Sequence, residues 1–302
     1  MRVSDPLPIR VLSHNIRYAT NAPFKGEEKW DIRKPHLINE LCYNTAHCAE
    51  SFICLQEVLH QQLVDILAGL SRNKRKWEYV GVGRDDGSAA GEFSPIIYNP
   101  TVWELQMQKT KWLSETPDRP SKGWDAACIR ILTVAVFQHR GTRRKLIAMN
   151  THLDHQGSKS RLEAAKIILG EICQFTAQES HGQSPPILLA GDFNSEPDQE
   201  AYKEMTSRDS PMVDVHSLVP ENERYGHSNT FTGFDPQTER PTRIDFIFVN
   251  KNTPDCENGS ELHHNVAGKP WLIEGYAVLP NRFEDGMYNS DHRAVIGDLS
   301  IV

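Results

Sequence analysis

The stretch Ile187–Pro197, which reads Ile-Leu-Leu-Ala-Gly-Asp-Phe-Asn-Ser-Glu-Pro, decides the fold class of this chain. Its first four residues are apolar, and the run is too short for a helix and stops at Gly191, so it predicts a buried core strand. Asp192 and Asn194 then alternate with Phe193. At the two-residue period of a strand, the two polar side chains leave the backbone on one face. The stretch therefore predicts a core strand that ends in two polar side chains.

This pair of polar side chains suits a hydrolytic site. A carboxylate such as that of Asp192 accepts a proton from water or binds a hard cation, and the Asn194 amide donates to a phosphoryl oxygen. The same residue types also form ordinary turns after strands. From this stretch alone, both the catalytic and the turn interpretation stay open.

Length and charge narrow the class of protein. The chain has 302 residues, which suffices for one large domain or two ordinary ones. No Gly/Ser/Pro-rich linker or internal repeat divides it, so we predict a single domain over residues 1–302. The net charge of −7 argues against a protein that coats nucleic acid without sequence preference. The same net charge is compatible with an enzyme whose small cleft carries positive charge from a bound metal ion.

The six cysteines and the N-terminal segment point to an intracellular compartment. No Cys-x-x-Cys pair occurs, so we expect buried free thiols; the residues are Cys42, Cys48, Cys54, Cys128, Cys173 and Cys256. Met1–Arg10 has no apolar signal segment, and no apolar run approaches the length of a membrane span. The sequence thus predicts a soluble cytoplasmic protein with no membrane partner, and we expect a monomer.

Strand and helix patterns alternate along the whole chain. Helical spacing predicts helices over Trp30–Ala49, Leu59–Leu70 and Ser158–Thr176, and a short one over Glu200–Met205. Short apolar or alternating runs predict strands over Arg10–Ser13, Phe52–Leu55, Trp77–Gly83, Ser94–Tyr98, Val102–Met107, Ile129–Phe137, Leu146–Met149, Ile244–Val249, Trp271–Val278 and Ala294–Ile301. The many short connections favour an α+β fold of two packed sheets covered by helices over a purely parallel sheet.

Polar residues recur where the predicted strands end. They are Asn15, Glu57, His152, Asp192, Asn194, Asp245, Asp291 and His292. Repetition at strand ends suggests a shared rim where loops converge, which is where rigid scaffolds place chemistry. The carboxylates of Glu57, Asp192 and Asp291 are hard ligands, and closely spaced His and Cys residues typical of zinc sites are missing, so the pattern favours Mg²⁺ or Mn²⁺.

Each of these residues also has a structural interpretation. Glu57 could cap the helix that follows, His152 could be a partly buried histidine, and Asp291 with His292 could form a turn. Asp245 is different, because it lies within an apolar run and must face inward. A buried carboxylate needs a partner such as a histidine or a cation.

Six motifs in order resemble those of the endonuclease/exonuclease/phosphatase superfamily. They are Ser13–Asn15, Leu55–Val58, Asn150–His152, Ala190–Asn194, Arg243–Ile247 and Ser290–His292, and together they cover nearly the whole chain. The resemblance implies a DNase I-like fold, a four-layer α/β/β/α sandwich with two packed mixed β-sheets. It also implies an enzyme, a Mg²⁺-dependent phosphoester hydrolase.

The resemblance also implies roles for individual residues at the metal and at the attacking water. Glu57 would bind the principal Mg²⁺, helped by Asn15 and Asp291. Asp192 would orient or deprotonate the attacking water, and Asn194 would hold a non-bridging phosphoryl oxygen.

Three further residues receive roles in the same way. Asp245 would fix the orientation of His292, which would bind the scissile phosphate or act as the base. His152, paired with Glu92, would bind phosphate or assist the leaving group. The sequence leaves open whether Asp192 or His292 takes the proton.

The substrate is the least determined feature. The segment Trp112–Trp124 is rich in Pro, Ser and Trp, which predicts a loop with exposed aromatic side chains. Its two tryptophans, with Arg119 and Lys122, could stack a base and meet a phosphate, although such residues more often serve local packing. Our leading hypothesis is a phosphodiesterase or nuclease acting on single-stranded or short nucleic acid. The alternative is a phosphatase of a small molecule, such as a sugar, inositol or nucleotide phosphate. An inactive phosphate-binding module is the third hypothesis.

Overall fold

A computed structural model describes residues 5–73, 75–177, 185–251 and 270–302. Within these residues the chain forms thirteen strands, β1 to β13, and five helices, α1 to α5. In chain order they are β1 Leu7–Asn15, α1 Trp30–Asn44, β2 Phe52–Gln56, α2 His60–Leu70, β3 Glu78–Val80, β4 Ile96–Tyr98, β5 Trp103–Trp112, β6 Ile131–His139, β7 Lys145–His152, α3 Ser158–Ala177, β8 Ile187–Asp192, α4 Glu200–Thr206, β9 Met212–Asp214, α5 Val215–Leu218, β10 Tyr225–Gly226, β11 Asp245–Asn250, β12 Trp271–Val278 and β13 Val295–Ile301.

The strands form two mixed sheets. The seven-stranded sheet has the order β10-β12-β13-β1-β2-β4-β3, and the six-stranded sheet has the order β5-β6-β7-β8-β11-β9. Near its centre each sheet has one parallel pair, β1 with β2 in the first sheet and β7 with β8 in the second, and the first sheet has another parallel pair, β10 with β12, at its edge. Since parallel neighbours end on the same side, each pair brings two strand ends together.

The core consists of three apolar layers. The inward faces of both sheets, including Val11 and Leu188, pack against each other. The outer face of the first sheet is covered by α1 and α2, where Leu12 packs with Leu37. The outer face of the second sheet is covered by α3 and α4, where Leu189 packs with Ile168. This arrangement confirms the predicted α+β fold, a four-layer α/β/β/α sandwich; the extent of the single domain stays a prediction.

The period-two prediction for β8 is confirmed. Leu188 and Ala190 face the layer between the sheets, whereas Leu189 faces the helices. Phe193 also packs into the helix-covered layer, which leaves Asp192 and Asn194 on the other side. The backbone of β7 passes so close to position 191 that a side chain does not fit there: a Cβ atom on Gly191 would lie 2.4 Å from the Thr151 carbonyl oxygen.

Two expectations about side-chain burial are wrong. Trp112 is not an exposed loop aromatic: it ends β5, is 7% exposed, and donates a 2.8 Å hydrogen bond to the Arg84 carbonyl oxygen. Trp124 is half-buried. Of the five cysteines in the described residues, Cys54 is buried, but Cys173 is exposed and the other three are half-buried. Cys256 lies outside the described residues.

A helix that crosses a membrane needs about 20 consecutive, mostly apolar residues. In the part of the chain that the structure describes, no helix has both the length and the apolar character needed to cross a membrane.

Candidate active site

The ends of the central strands meet at one edge of both sheets. In the second sheet, Asp192 at the end of β8 lies beside His152 of β7 on one side and Asp245 of β11 on the other. In the first sheet, Asn15 at the end of β1 lies beside Gln56 of β2. The strand topology thus brings together polar side chains that are far apart in sequence.

His292 lies between two carboxylates. Its Nδ1 is 2.9 Å from Asp245 Oδ2, and its Nε2 is 3.7 Å from Asp192 Oδ2. All three side chains are at least 95% buried. The inward-facing carboxylate of Asp245 therefore has the histidine partner that its sequence position required.

These contacts set the charges at the centre of the site. Burial lowers the pKa of His292, but the charges of Asp245 and Asp192 outweigh it and raise that pKa to about 10. Burial and the charge of Asp245 raise the pKa of Asp192 to about 7. Near neutral pH, His292 is an imidazolium beside a carboxyl group that is ready to exchange a proton.

Asn15 connects Asp192 with Glu57. Its Nδ2 donates to Glu57 Oε1 at 3.0 Å and to Asp192 Oδ2 at 2.9 Å, and its Oδ1 accepts from the Arg17 amide at 3.0 Å. The other oxygen of Glu57 accepts from the Tyr18 amide at 3.2 Å. These bonds place Glu57 and Asp192 on either side of one amide.

Glu57 and Asn194 both have left-handed backbones, with φ angles of 58° and 46°. Non-glycine residues adopt this region rarely and at a cost, and such residues concentrate at functional sites. At Asn194, a 2.9 Å bond from its amide to Asp192 Oδ1 holds the turn. At Glu57, the turn directs the carboxylate back over the end of β2.

Asp291 is electrostatically linked to Glu57. Burial and the negative charge of Glu57 raise the pKa of Asp291, whereas the charge of His292 lowers it. Although burial opposes it, the Asn15 hydrogen bond and the His292 charge lower the pKa of Glu57. Two carboxylates in one buried site repel each other, and a divalent cation between them would remove that repulsion.

His152 and Asn194 form the other side of the site. Asn194 Nδ2 lies 3.1 Å from the Leu153 carbonyl oxygen, which fixes the orientation of the amide, and 3.0 Å from His152 Nε2. His152 Nε2 therefore accepts a hydrogen bond, and the ring proton of the neutral histidine is on Nδ1. Burial and the charges of Arg130 and Arg84 lower the pKa of His152 well below its usual range.

Glu92 lies near His152 but bonds to a different residue. Its Oε2 is 3.8 Å from His152 Nδ1, which is too far for a hydrogen bond. Arg84 binds both Glu92 oxygens at 2.8 Å. The expected pair of Glu92 and His152 is therefore a loose contact within a larger group of charged side chains.

Sequence reasoning missed several buried residues that hold this edge. Arg33 of α1 is fully buried and donates to the carbonyl oxygens of Ile16 and Asn289 at 2.6 and 2.9 Å. These bonds join the segment that follows β1 to the segment that precedes β13. Asn150 Oδ1 accepts from Gln56 Nε2 at 2.8 Å, across the two sheets. The sequence signal for such residues is a polar side chain at a helix or strand position whose neighbours on the same face are apolar.

Two groups of side chains at this edge have donors for a cation. Glu57, Asn15 and Asp291 offer oxygen atoms only, whereas Asp192, Asp245 and His292 lie within 4.8 Å of one another and include an imidazole. Oxygen donors suit Mg²⁺ or Mn²⁺, and imidazole suits softer metals. The repulsion between Glu57 and Asp291 makes the oxygen-only group the better fit for a hard divalent ion.

A third group, Cys128, Asp154 and His155, does not fit a cation. The Asp154 carboxylate already accepts four backbone N–H groups, from Ala127, Cys128, Gln156 and Gly157, at 2.8 to 3.0 Å. Its function is to hold two loops together.

The order and geometry of these motifs agree with one known family. The sequence profile of the Endonuclease/Exonuclease/phosphatase family matches residues 13–266. This chain belongs to that family. The match confirms the resemblance to the DNase I-like superfamily, whose members hydrolyse phosphoesters.

Solved structures show the same fold over the whole chain. A family member from Bacteroides thetaiotaomicron has a TM-score of 0.81 and 28% identity, covering 99% of this chain and 100% of the other. A mannosyl-6-phosphatase from the same organism has a TM-score of 0.79 and 29% identity, covering 96% of this chain and 99% of the other. Neither alignment leaves a large additional domain in the bacterial protein.

A relative with a different substrate matches a smaller part. A probable RNA exonuclease from Schizosaccharomyces pombe is 27% identical over 67% of this chain. The chain spans 39% of the length of that relative. The proteins similar to this chain thus include one named as a mannosyl-6-phosphatase and one named as a probable RNA exonuclease.

Proposed function

We propose that this chain is a divalent-metal-dependent phosphoester hydrolase whose substrate is a small phosphorylated molecule, such as a sugar phosphate. The observation that carries the proposal is the convergence of Asp192, Asn194, His152 and His292 beside the carboxylate of Glu57 at one edge of the sheets. This set combines a proton acceptor, amide and imidazole donors, and a metal ligand, which is what hydrolysis of a phosphoester needs.

Asp192 is the proton acceptor in this proposal. Its pKa of about 7 lets it take a proton from water near neutral pH. His292 is already protonated, with a pKa of about 10, and cannot accept another proton. The imidazolium instead binds a phosphoryl oxygen, and Asp245 holds its ring in place through the 2.9 Å bond.

Glu57, with Asn15 and Asp291, would hold Mg²⁺ or Mn²⁺. A bound divalent ion stabilises the negative charge that develops on the phosphoryl group by several kcal/mol. On the opposite side, Asn194 would donate to a phosphoryl oxygen by exchanging its bond to His152 Nε2 and keeping the one to the Leu153 carbonyl oxygen. His152, neutral and protonated on Nδ1, lies on the side where the leaving group departs.

Three observations favour a small substrate over a long nucleic acid. Trp112, which the sequence offered as a base-stacking platform, is buried against the Arg84 loop. The match to a mannosyl-6-phosphatase extends over nearly the full length of both chains. The net charge of −7 points the same way.

A nuclease acting on single-stranded or short nucleic acid is the second candidate. The similarity to a probable RNA exonuclease supports it. The same residues would perform the same attack on a phosphodiester, so the two candidates differ in substrate and not in mechanism.

The test is hydrolysis by the purified protein with Mg²⁺ or Mn²⁺. The substrates are a panel of sugar, inositol and nucleotide phosphates, together with labelled single-stranded RNA and DNA. We expect release of inorganic phosphate from a small phosphomonoester. Cleavage of the nucleic acids without phosphate release would replace this proposal with the nuclease, and no hydrolysis of any substrate would favour the inactive module.

Substitution of the proton acceptor tests the assignment of the site. Asp192→Asn should lower kcat by about 100-fold to 10,000-fold, the usual contribution of a general base. Asp298→Asn is the matched control, because Asp298 pairs with Arg10 at the opposite end of the sheet. Full activity of Asp192→Asn would show that the reaction takes place elsewhere.

A further inference from the structure

Arg17 lies in the segment that follows β1, beside the carboxylates proposed to bind the metal. Its Nη1 is 3.8 Å from Glu57 Oε2, which is too far for a hydrogen bond. Burial raises the pKa of Asp291, and the charge of Arg17 is one of those that oppose this rise. The guanidinium therefore lies within the electrostatic reach of both carboxylates.

The backbone at Arg17 is left-handed, with a φ angle of 56°. Its amide donates to Asn15 Oδ1 at 3.0 Å, and its carbonyl oxygen accepts from Arg33 Nη2 at 2.6 Å and from Gln62 Nε2 at 3.1 Å. Non-glycine residues with such a backbone are held there by their surroundings and concentrate at functional sites. Three hydrogen bonds thus fix the main chain from which the guanidinium extends.

One edge of the Arg17 guanidinium is fixed by a buried carboxylate. Nε and Nη2 donate to the two oxygens of Glu27 at 3.1 and 3.4 Å, and the Glu27 side chain is 1% exposed. The rings of Tyr18 and Phe24 contact the guanidinium, with centroids 4.2 and 4.7 Å from its Cζ atom. These contacts order the arginine before a ligand binds, which lowers the entropic cost of binding.

The other edge of the guanidinium has no hydrogen-bond partner among the described residues. Two of its five N–H groups bind Glu27, which leaves both N–H groups of Nη1 and one of Nη2 unused in this part of the chain. Nη1 is also open to solvent, in contrast to the enclosed Nε of Arg33. A rigid edge of this kind suits two oxygen atoms of one phosphoryl group.

The charges around Arg17 suit an anion once the proposed metal site is filled. Without the metal, the guanidinium faces the three carboxylates of Glu27, Glu57 and Asp291. A divalent ion held by Glu57 and Asp291 would balance their charges, and Glu27 is already paired. The unused edge of Arg17 would then meet an anion without an excess of negative charge around it.

We propose that Arg17 is a further catalytic residue, whose unused edge binds the phosphoryl group of the substrate beside the proposed metal site and selects phosphomonoesters over phosphodiesters. A monoester carries almost a full second negative charge at neutral pH, whereas a diester carries only one. A fixed guanidinium therefore stabilises the bound monoester more. The inference rests on the proposed function, and it assigns one residue to the choice between the two candidate substrate classes.

The test compares two esters that share one leaving group. p-Nitrophenyl phosphate is a monoester, and methyl p-nitrophenyl phosphate is the diester in which a methyl group removes the second charge. In Arg17→Met at saturating Mg²⁺ we expect the ratio of their kcat/KM values, monoester to diester, to fall at least about tenfold, because a hydrogen bond to a charged group is lost. A general structural defect would lower both values together and leave the ratio unchanged.

Binding of inorganic phosphate gives a second measurement, which does not depend on turnover. Isothermal titration calorimetry in the presence of Mg²⁺ should give a Kd at least about tenfold higher for Arg17→Met than for the wild type. This measurement decides the question if hydrolysis of the diester is too slow to follow.

Arg10→Met is the matched control, because Arg10 of β1 also binds a carboxylate through two bonds, to Asp298 at 2.6 and 2.7 Å. It should leave the ratio and the phosphate affinity as in the wild type. Arg17→Lys keeps a positive charge beside Glu27, but its single ammonium group has no second edge for the phosphoryl group. It should therefore lower the ratio as well, and it provides the result if Arg17→Met does not fold.

The outcomes separate this role of Arg17 from the proposed function. A ratio that is unchanged in a folded Arg17 variant overturns the role while the phosphatase stands, and an unchanged phosphate affinity has the same meaning where the diester is not hydrolysed. Hydrolysis of the diester alone by the wild type, or of neither ester, overturns the proposed function first, and the selection by Arg17 with it.

Discussion

At the scale of single residues, His292 decides how the site is charged. A histidine between Asp245 and Asp192 is held as an imidazolium, because two carboxylates outweigh the effect of burial on its pKa. The same interaction leaves Asp192 as the group that titrates near neutral pH. In the proposed mechanism the two roles therefore fall to different residues: the His292 imidazolium supplies positive charge, and Asp192 accepts the proton.

This arrangement gives a prediction for the metal-free protein. We expect the His292 ring to remain doubly protonated at pH 8, since its pKa is raised to about 10. Nitrogen-15 NMR of the histidine side chains measures this directly. Asp245→Asn removes the first of the raising charges, so the pKa of His292 should fall. A ring that is neutral at pH 8 in the wild type would contradict the assignment of Asp192 as the acceptor.

The sequence predicted some residue contacts and missed others for a physical reason. Asp245 required a partner because a carboxylate in an apolar run must be neutralised, and His292 is that partner. Arg84 gave no such signal, since it lies in a polar segment where charge is ordinary, and Arg130 is a single charge near the start of the predicted strand Ile129–Phe137. Their importance arises from burial beside His152, which is a property of the folded chain.

At the scale of elements, Asn150 joins the two sheets. Its amide accepts from Gln56 of β2 and donates to the carbonyl oxygens of Leu55 and Pro95, each bond at 2.8 Å. These bonds lie below the edge that carries the site. They fix the distance between the parallel strand pairs from which Glu57 and Asp192 extend.

Asn150→Ala should lower the free energy of unfolding by about 2–4 kcal/mol, because it removes three buried hydrogen bonds. Urea unfolding followed by circular dichroism measures the change. Asn99→Ala is the control: Asn99 accepts hydrogen bonds from Thr101 in an exposed turn, and its loss should cost less than about 1 kcal/mol. Equal losses in the two variants would contradict the role of Asn150.

Asp154 holds the loop before β6 against the turn that precedes α3. Burial alone would raise its pKa, but four backbone donors lower that pKa to about 2 from a usual 3.8. A lowered carboxyl pKa stabilises the fold fully above about pH 4, and the contribution is lost as the pH falls through about 2. Asp154→Asn should therefore cost about 2 kcal/mol at pH 7 and progressively less below pH 4. Urea unfolding at a series of pH values tests this, and a pH-independent cost would refute it.

Element patterns were predicted better than side-chain environments. The alternation of Asp192, Phe193 and Asn194 gave the two faces at the end of β8, because successive side chains of an extended chain point to opposite sides. Trp112 was misassigned because a tryptophan beside Pro and Ser residues looks like a loop aromatic. In the folded chain, the Arg84 loop covers its ring, and that neighbour is not visible in the local sequence.

At the scale of the whole molecule, the proposed metal ligands Asn15, Glu57 and Asp291 lie beside three strands of the seven-stranded sheet, β1, β2 and β13, so metal binding should stabilise the fold. The repulsion between Glu57 and Asp291 is relieved when a cation binds. At 100 times the dissociation constant, a ligand adds about 2.7 kcal/mol, which raises the Tm by roughly 5 °C for a domain of this size.

Differential scanning calorimetry with and without Mg²⁺ measures this rise in Tm. Glu57→Gln should remove most of it, whereas Glu163→Gln, which alters a pair with Lys166 on the surface of α3, should not. The same rise in Glu57→Gln as in the wild type would place the metal at another group of ligands.

The pairing of β1 with β13 has a consequence for how the protein is made. The first and last strands are antiparallel neighbours inside the seven-stranded sheet, with Leu7 opposite Ile301. Asn15 and His292, 277 residues apart, therefore meet only after the final strand has been synthesised and inserted. Contacts so distant in sequence form late and slowly. A growing chain that does not yet include β13 thus has the other apolar strands of both sheets, but its candidate site is not assembled.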